Sequence, residues 1–253
     1  MADADVAVRE LDDHTGQPAL EVRAGGATYV LHRFGGGLAS LLDPDGREWV
    51  GYRPGGGSAG EYRGIPNTVH PGMGFHPGGE MCDTRPSRQT EAAAEFETGS
   101  NNGGWACRWA FTPACATMTL TAAAGPYWWL YEGTPGGAFD AESFQIVDAN
   151  GHAELGGATW QRRLPEPRGV GIVSQRSPHA LLLLDRTERA ADVVDSYWPM
   201  KNNMTVLGFG RELGGAENPR WRHLTETPAT LVIAFREVDA AGVPDALRAL
   251  ATG

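Results

Sequence analysis

Residues 20–49 read LEVRAGGATYVLHRFGGGLASLLDPDGREW. Leu20–Ala24 alternates apolar and polar side chains, the period of a strand with one buried face. Gly25-Gly26 signals a hairpin, because glycine takes the positive φ that tight hairpin turns require. Ala27–Phe34 follows as a second strand, and Leu38–Leu42 as a third after the Gly35-Gly36-Gly37 break. Asp43-Pro44-Asp45-Gly46 is a turn in which proline presets φ and glycine accepts a positive φ. Glu48-Trp49-Val50 opens the next strand.

The same alternation continues outward from this stretch. Trp105–Phe111, Ala116–Thr121, Tyr127–Glu132, Phe144–Asp148, Val170–Val173, Ala180–Leu184, Met204–Arg211 and Thr230–Phe235 all read as short strands between turn signals. About a dozen such strands predict an all-β protein, a large antiparallel β-sandwich. Ala153–Pro167 and Val193–Lys201 show no clear period and read as irregular. Only Pro244–Leu250 reads as helix, with proline at an early position and good helix formers after it. No change of composition divides the chain, so one domain is expected over residues 1–253, with a frayed start over residues 1–15.

Composition narrows the function. The chain carries 21 basic and 31 acidic residues, a net charge of −10, with no basic cluster to offset it. Nucleic acid is therefore not an expected partner. A mean hydropathy of −0.33 and the lack of a long apolar run exclude a membrane-spanning helix. Cys82, Cys107 and Cys115 lack metal-type spacing and read as free thiols. The acidic start MADADVAVRELDD has no apolar segment of the kind a signal peptide needs, so a cytoplasmic location is expected. Neither a nucleotide-binding glycine motif nor a GxSxG elbow is present.

The chemistry-bearing residues gather in a long aperiodic segment, residues 51–81, GYRPGGGSAGEYRGIPNTVHPGMGFHPGGEM. A loop of this length inside a compact domain is usually functional or disordered, and its density of aromatic and ionisable groups favours function. In extended chain Glu61 and Arg63 share one side, suited to fixing a carboxylate or gripping a substrate. Asn67 follows as a polar contact. His70 and His76 each precede proline, which biases them to extended backbone and displays them for acid–base work. A metal with Glu80 or Asp83 as a further ligand is the less favoured use of the two histidines, and no cofactor is expected.

Two later segments offer further walls. Glu132 ends an aromatic strand, where apolar surroundings raise a carboxyl pKa into the acid–base range. Trp128 and Trp129 point to opposite faces, so only one can line a site; Trp129 is taken as the sugar-stacking one. Tyr197, Trp198 and Lys201 are the binding candidates of the third segment, with Arg211 and Trp221 weaker.

A strand followed by GGGLASLLDPDGREW resembles the opening of galactose-mutarotase-like domains. That resemblance implies a large supersandwich and a sugar epimerase or mutarotase, in which a histidine donates and a glutamate accepts a proton around the ring oxygen and the anomeric hydroxyl. SAGEYRGIPN, YWWLYEGTPGG and DSYWPM also resemble an uncharacterised bacterial protein family.

Three functions are consistent with these residues, all with a saccharide as partner. The first is cleavage of a glycosidic bond. Hydrolysis would use Glu61 and Glu132 as the carboxylate pair; β-elimination would use His70 or Tyr197 as base, with Arg63 and Asn67 neutralising a uronate. The second is the epimerase or mutarotase reaction, and the third a noncatalytic sugar-binding module.

Overall fold

The computed structural model describes residues 5–54, 63–68, 74–200, 203–213 and 223–253. Nearly every element is a strand, and all pairings are antiparallel. The first sheet contains β1 (Ala7–His14), β2 (Gln17–Ala24), β3 (Ala27–His32) and β4 (Leu38–Leu42), in that order. A second sheet draws on β5 (Cys82–Gln89), β6 (Ala94–Ser100), β7 (Ala106–Phe111) and β8 (Ala116–Ala122). A third is built around β9 (Trp129–Gly133). The second also takes β10 (Phe144–Asp148), β11 (Ala153–Leu155), β13 (Gly169–Ser174), β14 (His179–Asp185) and β17 (Ala229–Glu237), to the third go β12 (Trp160–Arg162), β15 (Asp195–Met200) and β16 (Met204–Phe209). The order in the nine-stranded second sheet is β11-β10-β13-β14-β17-β8-β7-β6-β5, and in the third β12-β15-β16-β9.

One apolar core joins all three sheets. It includes Leu20, Tyr29 and Leu31 from the first, Trp109, Leu181, Leu183 and Ile233 from the second, and Trp129, Tyr131, Tyr197 and Phe209 from the third. The opposite face of the second sheet is also covered. Leu182, Leu184, Val232 and Ala234 pack under Val243, Leu247 and Leu250 of the helix α1 (Val243–Thr252). Burial on both faces explains why β14 is an unbroken apolar run rather than an alternation. No helix among the described residues is long and apolar enough to cross a membrane.

The Asp43 turn is fixed by its own carboxylate. Oδ1 accepts from the backbone N–H groups of Asp45 (3.0 Å) and Arg47 (2.9 Å). Oδ2 accepts from Trp49 Nε1 (3.1 Å) and from Ser177 Oγ (2.6 Å). Burial alone would raise this pKa, but the bonds from Ser177, Arg47, Trp49 and Asp45 hold it below the ordinary value. A turn legible as local chemistry thus also ties the first sheet to the second.

Several segments differ from the sequence expectation: Ala153–Leu155 and Trp160–Arg162, expected to be irregular, are β11 and β12, and Glu48–Val50 opens no strand. Residues 7–14 are not frayed: they pair with β2 as an edge strand. Their side chains are mostly exposed and charged, which hides the strand period and also blunts the open edge. Asp195–Met200 is not irregular but is β15, in which Asp195, Ser196 and Tyr197 are buried and Trp198 is half-buried. With both faces of a strand covered, no alternation is left to read.

Candidate active site

The third sheet has a second face, turned away from the core. Trp128, Leu130, Met204 and Val206 form a separate apolar cluster there, with Trp198 and Met200 against it. Register puts Trp198, Val206 and Glu132 in one row across β15, β16 and β9. Glu132 is therefore a carboxyl set in an apolar surface, and it is 3% exposed.

Part of the long segment reaches this row through two isolated antiparallel bridges. Gly64 exchanges backbone hydrogen bonds with Glu132 (2.8 and 3.0 Å), and Ile65 exchanges them with Leu38 of β4 (2.6 and 3.2 Å). Trp128 N donates to Thr68 O (3.0 Å). The segment so bridges the first and third sheets, and brings Asn67 to the carboxyl: its Nδ2 lies 3.5 Å from Glu132 Oε2. Further on, His76 N donates to Gly35 O (2.8 Å), and the imidazole Nε2 stands 4.0 Å from the same Glu132 oxygen.

Burial reverses the usual ionisation of this pair. It lifts the Glu132 carboxyl to about 8, against the Asn67 hydrogen bond and the Arg211 charge, which favour the carboxylate. The same desolvation lowers His76 to about 4, against a hydrogen bond to the Pro77 backbone. At neutral pH the carboxyl holds its proton and the imidazole is neutral.

Arg211 forms the other wall. Gly210 has φ +70, a conformation that favours glycine, and turns the chain back after β16. Its N–H donates to the buried Asp195 carboxylate (3.0 Å). Arg211 then lies over Gly208, where an added Cβ would come within 2.9 Å of the Arg211 Cβ. Its guanidinium sits 4.0 Å from the Trp198 ring centroid and 5.0 Å from that of Trp128, a cation–π sandwich. Burial lowers its pKa to about 10, with the Glu132 charge acting the other way. Nε and Nη1 are buried and have no hydrogen-bond partner among the described residues. His223 packs edge-on to Trp128, with ring centroids 5.2 Å apart.

Of the residues expected from sequence, Glu132, His76, Asn67 and Trp198 come together here. Glu61, His70 and Lys201 lie outside the described residues, as does Trp221. Arg63 spends described hydrogen bonds on Asn203 Oδ1 (3.0 Å) and Gly51 O (3.4 Å), which tie its segment to the β15–β16 turn. Two expectations are corrected. Trp129 does not line this face: it packs in the core against Phe209, ring centroids 5.8 Å apart, and Trp128 takes the site side. Tyr197 also points into the core, where its hydroxyl donates to Gly156 O and burial drives its pKa far above the ordinary value. Its phenol stays protonated at neutral pH and faces the core, so it is no base for this site. Trp129→Ala should consequently lower unfolding stability by about 3–5 kcal/mol in urea titrations, and a loss under about 1 kcal/mol would contradict the core placement.

Among the described residues, no cluster of three or more His, Cys, Asp or Glu side chains could hold a metal ion. A charged cleft of ≈ 590 Å³ lies elsewhere, lined by residues that include Arg168, Asp185 and Arg189. Its cations are engaged: Arg189 grips Asp195 with two bonds (2.7 and 2.6 Å), and Arg168 donates to Glu166 and Thr187 O. That network ties Asp185 of β14 to Asp195 of β15 through Arg189.

The backbone has clear likenesses among solved structures. HI1317 superposes with a TM-score of 0.59 at 12% identity, over 91% of this chain and 100% of that one. A Salmonella typhimurium protein designated a candidate mutarotase gives 0.53 at 10% identity, over 91% and 93%. A candidate aldose 1-epimerase from Klebsiella pneumoniae gives 0.53 at 12% identity, over 97% and 87%. The chain has the galactose-mutarotase-like fold. No protein-family model and no curated protein sequence matches it. At these identities the likeness is one of fold, and what the site does has to be argued from its own residues.

Proposed function

We propose that the chain interconverts the anomers of a sugar, as a mutarotase or aldose 1-epimerase does. The observation that carries this reading is the Glu132–His76 pair, a protonated carboxyl and a neutral imidazole 4.0 Å apart. Anomer exchange needs one proton given and one taken on two oxygens of the same ring carbon. The anomeric hydroxyl gives its proton to His76, and its O–H electrons form the C1 carbonyl. The C1–O5 bond breaks towards oxygen, and Glu132 gives that oxygen its proton. Rotation about C1–C2 and reversal of both transfers close the other anomer. The resemblance drawn from sequence had histidine as donor and glutamate as acceptor; burial favours the opposite assignment for the ring-opening step.

Trp198, half-buried in the same row as Glu132, offers an apolar face on which a sugar ring packs, and Arg211 and Asn67 supply N–H donors to hydroxyls. The designations of the Salmonella and Klebsiella proteins support the same reaction class. Glycosidic-bond cleavage has weaker support. Its hydrolytic form needs two carboxyls across the scissile bond, and Glu132 has an imidazole as its neighbour, while Glu61 lies outside the described residues. Its eliminative form loses Tyr197 as a base. A noncatalytic module would use the aromatic wall and leave the lifted carboxyl without a role.

The test is anomer exchange followed by polarimetry and by NMR on freshly dissolved aldoses, aldose phosphates and uronic acids. Exchange faster than the buffer rate is expected for at least one of them. If none exchanges faster than in buffer alone, the reading fails.

A further inference from the structure

We propose that the buried His32 is a positioning residue for His76, acting through the backbone N–H of Gly78. This inference rests on the reading of Glu132 and His76 as the acid–base pair.

His32 ends β3 and is fully buried. Its Nδ1 lies 3.2 Å from Gly78 N, two residues after His76. A backbone N–H can only donate, so Nδ1 is the bare nitrogen and the ring proton is on Nε2. Nε2 in turn stands 3.0 Å from His14 Nδ1, which accepts that proton's hydrogen bond. The tautomer of His32 is thus set from both sides, and burial with the neighbouring His14 keeps the ring neutral down to about 4.

The turn that His32 holds is tightly fitted. Gly79 N donates to His76 O (3.0 Å), and Gly78 has φ +81. A Cβ on Gly78 would sit 1.9 Å from the Tyr52 hydroxyl, and one on Gly35 would sit 2.1 Å from His76 O. Tyr52 places its ring edge-on to His32 at 5.3 Å and reaches the His76 ring at 6.5 Å. Gly35 and Tyr52 limit where the turn can go; the His32 acceptor holds its Gly78 end, beside the bonds from His76 N to Gly35 O (2.8 Å) and from Gln17 Nε2 to Gly79 O (3.3 Å). A shift of about 1 Å at a catalytic group can cost a factor of about 10² in rate. The imidazole also owes its low pKa to burial, which a displaced turn would relieve.

Two isosteres separate the hydrogen bond from mere packing. His32→Asn puts an amide oxygen near the Nδ1 position and keeps an acceptor for Gly78. His32→Gln puts its amide near the Nε2 position, keeping the His14 contact and losing the Gly78 acceptor. The readouts are the NMR titration of the His76 ring proton, assigned with His76→Gln, and kcat and KM for anomer exchange. In His32→Gln the His76 midpoint should rise by about one pH unit or more towards 6.5, and kcat should fall about tenfold with KM little changed. His32→Asn should keep the parent midpoint and kcat. A parent midpoint in His32→Gln, or equal damage in both variants, overturns the proposal. If the parent exchanges no sugar, the acid–base reading has failed, and the His76 midpoint alone decides the role of His32.

Discussion

Glu132→Gln is expected to slow anomer exchange by about 10²–10⁴-fold, the usual loss on removing a positioned acid. The substitution is nearly isosteric. Glutamine fills the same volume in the apolar row with Trp198 and Val206, and keeps an oxygen for the Asn67 amide. At neutral pH the parent carboxyl is itself uncharged, since burial lifts it to about 8. In the folded state the exchange is one neutral polar group for another, but the unfolded carboxyl is ionised above 4.5, so by linkage the variant's urea midpoint at pH 7 should lie above the parent's. What is lost is the transferable proton: an amide N–H can bond to the ring oxygen but cannot be given to it. Substrate binding, which the proposal assigns to Arg211, Asn67 and Trp198, should change little, so the defect belongs in kcat. Parent-like kcat in Glu132→Gln, on any sugar that the parent exchanges, would remove Glu132 from the chemistry.

The sequence displayed the two groups of the proposed acid–base pair because each breaks a local rule. Glu132 is a carboxyl within an aromatic strand, and His76 is a titratable group in a glycine-rich segment with little packing to do. The Asp43 turn was legible for a similar reason, since its hydrogen bonds are mostly local, with Ser177 the exception. The choice between Trp128 and Trp129 was not. Strand alternation says that they face opposite ways, but only the packing of β9 beside β16 decides which way is in. Tyr197 was misread on the same ground, because DSYWPM lies in a strand covered on both faces. Arg211 gives a weak signal in sequence. Its place depends on the left-handed Gly210 and on a bare Gly208 beneath it, and neither glycine looks unlike the others in this glycine-rich chain. His32 gave no signal at all: in sequence it lies inside an ordinary strand, and its link to the His76 turn is a contact across 46 residues.

The paired pKa shifts predict how both rate and stability follow pH. For kcat/KM, a plateau is expected between about 4 and about 8. Below it His76 is protonated and cannot accept a proton, and above it Glu132 is ionised and has none to give. Stability follows from the same groups by linkage. His76 and His32 have folded values of about 4 against 6.5, so the unfolded chain binds more protons between these limits, and stability rises with pH there. Glu132 has a folded value of about 8 against 4.5, so the folded chain binds more protons between those limits, and stability falls with pH. From pH 4.5 to 6.5 two histidines oppose one carboxyl and the net slope is upward. Above 6.5 the histidine contributions are complete and Glu132 acts alone. Stability should peak near pH 6.5 and then fall by about 2 kcal/mol towards pH 8, at up to about 1.4 kcal/mol per pH unit for one proton. In Glu132→Gln that fall disappears, and the variant's advantage over the parent grows from pH 6.5 to pH 8.5. Urea titrations of both proteins at pH 6.5 and 8.5 measure the difference directly. Parallel behaviour of the two would mean that Glu132 is already ionised at neutral pH, and the proton for the ring oxygen would have to come from another group.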